Sequence, residues 1–247
     1  MSMRVESDRP LPPPGANTYG HFTAMQVRAG AVRGLALHLA RLEGATRELF
    51  DTTLDAERVR GALWHAVRDT PDASAGVYVY GPGPDDDEPT VAVVVRPPVG
   101  SPGMRQRLQS VAYQRPVAHL KHLGGFAQVY FGRRAARNGF DDALLTGPDG
   151  VISEAAIANI AFLRGDEVVW PDAPHLPGIT MQLIAPRLRS RNEAVRLADL
   201  PTFDGAVVTN SLGVGGVARI DDVRFPVDDV RLKALAAEYE AIPWDVL

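Results

Sequence analysis

Cysteine is absent from this chain of 247 residues, and no long apolar run occurs in it. The missing cysteine excludes disulfide scaffolds, thiolate metal sites and cysteine nucleophiles. A membrane-spanning helix needs roughly 18 consecutive apolar residues, and a secretory signal needs an apolar core near the N-terminus. The sequence offers neither, so we expect a cytoplasmic protein with no membrane partner.

Basic clusters and aromatic residues are also scarce. The formal net charge is −4 and aromatic residues make up 7% of the chain, whereas nucleic-acid binding requires a basic patch. We therefore expect no nucleic-acid partner. The remaining composition, with 45% hydrophobic and 23% charged residues, is typical of a globular protein with enough apolar material for one large or two small domains.

Lysine is the scarcest charged residue. The 26 basic residues comprise 24 arginines and 2 lysines, Lys121 and Lys233. A guanidinium stays protonated in proteins, whereas a lysine amine can lose its proton and attack a carbonyl. Lys233 lies in an amphipathic helical pattern over 230–238, which indicates an ordinary surface charge.

Lys121 lies in an apolar segment, 117–125, and three interpretations of it are open. It is a surface lysine whose aliphatic chain is covered by apolar neighbours, a buried ion-pair partner, or a lysine that forms a Schiff base. The general preference of the chain for arginine favours the Schiff base. Apolar neighbours support that chemistry because they lower the pKa of the amine.

Proline and glycine divide the chain into four parts. Residues 1–15 are proline-rich and predict a flexible N-terminal arm, and 16–98 predict a small N-terminal domain. An interdomain linker is expected over 99–104, and a large domain over 105–247.

Hydrophobic periodicity predicts helices and strands in both domains, and so a mixed α and β fold. The expected helices are 35–50, 56–67, 126–138 and 179–191. The expected strands are 21–28, 77–80, 91–95, 109–113, 143–146, 151–152, 160–163, 168–170 and 206–209.

Several other patterns resemble known kinds of site. His119 and His122 stand three residues apart but have no third ligand near them in the chain, so we expect no metal site. Asp141 and Asp142 indicate the polar start of a strand rather than a pair of catalytic acids. The glycine-rich segment 213–216 predicts a turn whose N–H groups are able to bind a phosphate.

Three features with related chemistry accompany Lys121. Glu154 is an acid in an apolar run and therefore needs a buried partner. Arg41 lies near the start of an apolar-flanked helix, and Gly178 and Thr180 open another helix, where free N–H groups attract an anion. An amine, a buried carboxylate and an anion site are the groups that a pyridoxal-phosphate enzyme requires.

A series of motifs in a fixed order carries a resemblance to a known family. They are Phe22-Thr23, His38-x-x-Arg41-Leu42, Lys121-His122-Leu123, Gln128-Val129, Gly139-x-Asp141-Asp142-Ala143-Leu144, Gly150-x-x-x-Glu154, Asn159-Ile160 and Pro177-Gly178-Ile179-Thr180. From about residue 19 to about residue 221, the chain resembles the class IV aminotransferases. These are the fold-type IV pyridoxal-phosphate enzymes, and they include branched-chain and D-amino-acid aminotransferases and aminodeoxychorismate lyase.

This resemblance implies a fold, a cofactor and a partner. The fold is α+β with two domains, a small N-terminal α/β domain and a larger C-terminal mixed-sheet domain. Pyridoxal 5'-phosphate is expected in the cleft between them, and the family builds its site with a second copy, so a homodimer is expected.

The resemblance also implies roles for individual residues. Lys121 forms the Schiff base with the cofactor and moves the proton between substrate and cofactor, and Glu154 pairs with the pyridine nitrogen. Asn159 braces the loop that carries Glu154. The expected phosphate-binding residues are Arg41, Ile179, Thr180, Thr209 and Asn210.

The implied function is amino-group transfer between a small amino donor and a keto acid or ketone. The alternatives are an elimination of the aminodeoxychorismate-lyase type and a non-catalytic relative that binds the cofactor. Gly124 stands where lyases tend to have asparagine, and Phe126 stands where branched-chain enzymes tend to have tyrosine.

The expected substrate carries little charge. The loop after Tyr80 lacks the arginines that several members of the family have, and it contains the acidic run 85–88 instead. The candidates that remain for meeting a substrate carboxylate are Arg28, Arg115 and the turn 211–216. We therefore expect 2-oxoglutarate to be a poor substrate.

Overall fold

The structure is a computed structural model that describes residues 3–11, 19–82, 88–100, 105–226 and 229–247. It forms two compact units. The first comprises Met1–Gly100, Leu120–Gly124 and Pro243–Leu247, and the second comprises Ser101–His119 and Gly125–Ile242. The expected large domain, 105–247, therefore needs two corrections. Its segments 120–124 and 243–247 pair with strands of the first unit and belong to that unit.

The first unit is built on an antiparallel sheet of four strands with the order β1-β5-β4-β2. These strands are β1 (Arg4–Ser7), β2 (Gly20–Val27), β4 (Ala73–Tyr80) and β5 (Thr90–Arg96). A separate two-stranded ribbon joins β3 (Ala31–Val32) to β15 (Asp245–Val246), which accounts for the C-terminal segment of this unit.

Two helices, α1 (Leu35–Phe50) and α2 (Ala56–Val67), cover this sheet, and both have the bounds that the sequence predicts. Alternate residues of β2 are buried, as the two-residue period of a strand requires. The apolar ones join a core that also contains Leu42 of α1 and Leu63 of α2.

The expected flexible arm, 1–15, is wrong for its first described part. Residues Arg4–Ser7 form the edge strand β1, paired antiparallel with β5. The main chain of β5 would otherwise present unpaired N–H and C=O groups on that side. Asp8 continues the attachment, because its side chain accepts a hydrogen bond from the Val91 N–H at 3.0 Å. Residues 12–18 lie outside the described residues.

The second unit is built on a mixed sheet of nine strands, in the order β11-β10-β9-β12-β13-β6-β7-β8 with β14 beside β13. Three neighbouring pairs are parallel, namely β10 with β11, β13 with β6, and β6 with β7. The strands are β6 (Gln106–Ala112), β7 (Asp142–Thr146), β8 (Ile152–Ala155), β9 (Asn159–Arg164), β10 (Glu167–Pro171), β11 (Ser190–Glu193), β12 (Gly205–Asn210), β13 (Gly213–Ile220) and β14 (Val223–Arg224). The α+β class is confirmed.

Three helices belong to the second unit: α3 (Phe126–Arg137), α4 (Ile179–Ile184) and α5 (Asp229–Glu240). The helix expected over 179–191 is wrong beyond Ile184. Pro186 lacks the N–H that the helix needs, so the chain passes through a short 3-10 turn at Ala185–Arg187 before β11. No helix among the described residues is long and apolar enough to cross a membrane.

The expected phosphate-binding turn at 213–216 is also wrong. These residues begin β13, where Val208 pairs with Gly215 and Val207 with Gly216 across to β12. Strand pairing engages the main chain of this segment, so its N–H groups do not form an anion-binding turn.

Candidate active site

Lys121 belongs to a short segment that extends the sheet of the first unit. The Phe22 N–H donates to the Lys121 carbonyl at 2.9 Å, and the Leu123 N–H donates to the Gly20 carbonyl at 2.8 Å. Because β2 is the last strand on that side of the sheet, its outer edge is available for this pairing. A β-carbon on Gly20 would stand 2.7 Å from the Val79 carbonyl of β4 and 2.9 Å from the Leu123 side chain, so a side chain at residue 20 would displace both neighbours of β2.

The Lys121 amine lies over an aromatic surface. Its nitrogen is 4.8 Å from the centre of the Phe22 ring, and Phe22 stacks on Tyr78 with ring centres 5.2 Å apart. The lysine is half-buried. The sequence therefore predicted its apolar surroundings correctly, and the tertiary structure identifies the Phe22 ring as part of them.

A buried polar pair lies behind β2, between this strand and α1. The Thr23 hydroxyl is 2.6 Å from Nδ1 of His38. The pKa of His38 is lowered to about 3 by burial and, to a lesser degree, by the positive charges of Arg41 and Lys121. The imidazole is therefore neutral at ordinary pH. Arg41 and Lys121 both lie close enough to His38 to affect its pKa.

In the second unit, Glu154 is buried on β8 and forms an ion pair. Arg115 Nη1 is 3.0 Å from Glu154 Oε1, and both side chains are more than nine-tenths buried. The predicted burial of Glu154 is confirmed. The identity of its partner was missed, because Arg115 is 39 residues away in the chain and no local pattern connects the two.

Leu176 links Glu154 to Asn159. The Leu176 N–H donates to Glu154 Oε2 at 3.2 Å, and Asn159 Nδ2 donates to the Leu176 carbonyl at 2.7 Å. Glu154 and Asn159 thus bind the main-chain N–H and C=O groups of the same residue, Leu176. This contact agrees with the bracing role that the resemblance implies for Asn159.

The residues expected at the phosphate lie where α4 begins and β12 ends. Thr209 pairs with Asn159 across the strands, and its buried hydroxyl has no hydrogen-bond partner among the described residues. The Thr180 hydroxyl donates to the Asn210 carbonyl at 2.6 Å. Ile179 is the first residue of α4. Thr209 and Asn210 end the strand β12, which extends one residue beyond each end of the predicted strand 206–209.

The arginines proposed for a substrate carboxylate have other partners. Arg115 binds Glu154. Arg28 donates to three main-chain carbonyls and to the Gln26 side chain. In the turn 211–216, the Leu212 N–H donates to Asn210 Oδ1 at 2.9 Å, and residues 213–216 belong to β13.

Each unit carries its own set of polar groups. The first holds a half-buried amine with a nearby guanidinium. The second holds a buried carboxylate whose position is fixed by an arginine and a main-chain N–H, and an unsatisfied buried hydroxyl beside the start of a helix. Amine, carboxylate and anion-binding donors are the groups required for pyridoxal-phosphate chemistry.

Several solved structures have a similar fold. The chain has a TM-score of 0.81 and 21% identity with a hypothetical aminotransferase from Mycobacterium tuberculosis in its PLP-bound form, over 98% of both chains. It has a TM-score of 0.80 and 22% identity with a fold IV transaminase from Curtobacterium pusillum, over 95% of this chain and 89% of the other. For the 4-amino-4-deoxychorismate lyase of Pseudomonas aeruginosa, the TM-score is 0.80 and the identity 24%, over 95% and 97%.

These likenesses show the fold, which is fold-type IV as expected. No match is found among curated proteins. The profile of the family described as amino-transferase class IV matches residues 20–220. That match spans the motifs around Arg41, Lys121, Glu154 and Thr180, and the chain belongs to the amino-transferase class IV family.

Proposed function

We propose that this protein is a pyridoxal-phosphate-dependent aminotransferase that moves an amino group between a small amino donor and a keto acid or ketone. The observation that carries the proposal is the buried Glu154, fixed by Arg115 and by the Leu176 N–H in a chain that also keeps Lys121 within its family motif. A buried ion pair is costly to build, and here it fixes a carboxylate that pyridoxal phosphate requires.

The residues present fit this cofactor. A carboxylate has about four lone-pair positions, and Glu154 accepts two hydrogen bonds from protein groups, which leaves capacity for a protonated pyridine nitrogen. The unpartnered Thr209 hydroxyl is a donor suited to a phosphate oxygen. Arg41 and the main-chain N–H groups of Ile179 and Thr180 complete the proposed phosphate site.

When bound, pyridoxal phosphate supplies an aldehyde that bonds to amines and a ring that accepts an electron pair. Lys121 is the residue proposed to hold the aldehyde and to carry the proton at its Nζ. Glu154 keeps the ring nitrogen protonated, which makes the ring a better electron acceptor. The Phe22 ring, stacked on Tyr78, covers one side of the lysine amine.

We propose a lightly charged substrate. Arg28 and Arg115 were the arginines available for a second carboxylate, and both are engaged by groups of the protein. Half-reaction kinetics test this point. Alanine or a neutral amine should react faster than glutamate, and comparable rates would show that another group meets the extra carboxylate.

An elimination of the aminodeoxychorismate-lyase type is the second candidate. The Phe22-Thr23 and Lys121-His122-Leu123 motifs most resemble that branch of the family, and the chain has the same TM-score with a lyase as with a transaminase. Gly124, in the place of the asparagine that lyases tend to have, favours the transaminase.

We also propose that the protein works as a homodimer. Phe126, Val129 and Tyr130 lie on one side of α3 and are all exposed, Phe126 at 81%. Arg133 and Arg137 continue the same side of the helix, as the spacing of seven residues requires. Two copies of α3 packed antiparallel would set the arginines of one on the aromatic rings of the other, a favourable contact. Sedimentation of the protein at micromolar concentration, measured by analytical ultracentrifugation, should show a dimer. Phe126→Asp should weaken the association of the two copies.

The test of function begins with the absorbance spectrum of the purified protein after addition of pyridoxal phosphate. The protein is then given L-amino acids, D-amino acids, amines and aminodeoxychorismate in turn. Conversion of the bound cofactor to its pyridoxamine form supports the aminotransferase. Release of p-aminobenzoate and pyruvate identifies the lyase, and a bound cofactor that reacts with none of these identifies a non-catalytic relative.

A further inference from the structure

Asp142, the first residue of β7, is a buried acid that the proposed function leaves without a role. Its neighbour Asp141 lies on the surface and forms an ion pair with Arg107 at 3.0 Å. Asp142 accepts hydrogen bonds from main-chain N–H groups instead, from Ala143 at 2.8 Å and from Ile157 at 3.4 Å. The sequence indicates only that the strand has a polar start. This is true of the surface residue Asp141, but it does not account for the buried Asp142.

The second of those N–H groups belongs to the turn 155–158, which joins β8 to β9. Three hydrogen bonds fix this turn. The Ala155 N–H donates to the Ala158 carbonyl at 2.8 Å, the Ala156 N–H donates to the Ala143 carbonyl at 2.9 Å, and the Ile157 N–H donates to Asp142. Only the last of them uses a side chain.

The same turn separates Glu154 from Asn159. Glu154 immediately precedes it and Asn159 immediately follows it. Both side chains bind Leu176, so a shift of the turn would change the direction of the carboxylate and its distance from Leu176.

Helix α3 leaves space for the Asp142 carboxylate. A β-carbon on Gly132, in the interior of α3, would stand 3.3 Å from Asp142 Oδ1. A glycine inside a helix is destabilising relative to alanine, and here it keeps the helix from crowding the acid. Burial raises the pKa of Asp142 to about 6, and the two N–H groups act against that rise. Ionised Asp142 is therefore a cost to the fold, which makes a purely stabilising role a poor explanation.

We propose that Asp142 is a positioning residue for the cofactor site: by holding the Ile157 N–H, it fixes the turn 155–158 and with it the aim of Glu154. The inference rests on the proposed function, since it takes Glu154 as the partner of the pyridine nitrogen. It assigns Asp142 no contact with cofactor or substrate. An asparagine in its place presents an N–H₂ group to one of the two N–H donors, so one hydrogen bond is lost.

The test compares full-length Asp142→Asn with Asp141→Asn, its matched control on the surface. Affinity for pyridoxal phosphate is measured by absorbance titration of the cofactor-free protein, and the unfolding midpoint is measured by calorimetry. We expect Asp142→Asn to weaken cofactor affinity by about tenfold, because the turn 155–158 loses its side-chain hydrogen bond and Glu154 is no longer held in its direction. Its unfolding midpoint should be no lower than that of Asp141→Asn. Amide hydrogen exchange at Ile157 should be faster in Asp142→Asn alone.

The outcomes separate this inference from the proposed function. Equal cofactor affinities in the two variants would overturn the inference and leave the function standing. A variant Asp142→Asn that unfolds at much lower temperature or fails to fold would also overturn it, because the carboxylate would then serve the fold. A wild-type protein that binds no pyridoxal phosphate would overturn the proposed function itself.

Discussion

The side-chain oxygen of Asn159 fills the space that a β-carbon on Gly178 would need. An ideal β-carbon at residue 178 would stand 1.9 Å from Asn159 Oδ1, too close for any side chain. Asn159 at the same time donates to the Leu176 carbonyl, and the Leu176 N–H binds Glu154. The absence of a side chain at residue 178 thus allows the hydrogen bonds that fix the buried carboxylate.

Replacing Gly178 by alanine should therefore damage both the fold and the site. Overpacking of this kind costs about 1–3 kcal/mol, and the displaced Asn159 should loosen Leu176 and reduce affinity for pyridoxal phosphate. Urea unfolding and cofactor titration measure the two effects. Gly44→Ala is the control: its β-carbon meets open space inside α1, so the free energy of unfolding should rise by up to about 1 kcal/mol. Wild-type behaviour of Gly178→Ala would contradict the prediction.

Lys121→Arg should bind no cofactor covalently, since a guanidinium does not lose its proton to attack an aldehyde. The purified variant should lack the visible absorbance that the wild-type protein shows with pyridoxal phosphate. Lys233→Arg removes the other lysine and should keep the absorbance. Borohydride reduction followed by peptide mapping locates the attachment, and a cofactor found on Lys233 would refute the assignment.

Glu154→Gln should lower turnover by several orders of magnitude, because the charge that the carboxylate stabilises develops in the transition state. It also leaves Arg115 without its buried counter-charge, a loss that typically costs about 3–5 kcal/mol of stability. Turnover is therefore measured at a temperature where the variant is folded. Glu193→Gln, which breaks the half-exposed ion pair with Arg164, is the control and should keep turnover near the wild-type value.

Arg41→Ala should weaken retention of the cofactor, because arginine offers a fork of donors that matches phosphate oxygens. An excess of pyridoxal phosphate should restore part of the activity. Arg47→Ala on the same helix removes an exposed arginine that pairs with Glu43, and its cofactor affinity should equal that of the wild type. Equal affinities in both variants would remove Arg41 from the phosphate site.

Stability should fall on acidification because of two buried histidines. Burial lowers the pKa of His21 to about 4 and that of His38 to about 3, below the value of about 6.5 for an unfolded histidine. Between those values the unfolded chain binds more protons, so the free energy of unfolding decreases as the pH falls from about 6.5 towards 4. Asp142, with its raised pKa of about 6, acts in the opposite direction but through a smaller shift.

Thermal unfolding at a series of pH values measures this dependence. His38→Gln should show a shallower decrease than the wild type between pH 6.5 and pH 4. His65→Gln is the control, because His65 is exposed and lies 3.9 Å from Glu6 at the surface. The same slope in both variants would show that burial does not lower the pKa of His38.

Much of the fold could be predicted from the sequence because the signals were local. The helices α1 and α2 follow from apolar residues at helical spacing, and their observed bounds are the predicted ones. The predictions that went wrong depended on contacts outside the segment. Residues 213–216 contain the glycines of a turn, yet pairing with β12 makes them a strand.

The candidate groups of the site follow from the sequence alone: one lysine in an apolar segment, one acid in an apolar run, and motifs that indicate the family. The contacts of those groups follow only from the tertiary structure. Arg115 reaches Glu154 across 39 residues, and Thr23 reaches His38 across 15. The physical reason is that residue type and periodicity act within a segment, whereas the partner of a buried charge is set by which strands and loops pack together.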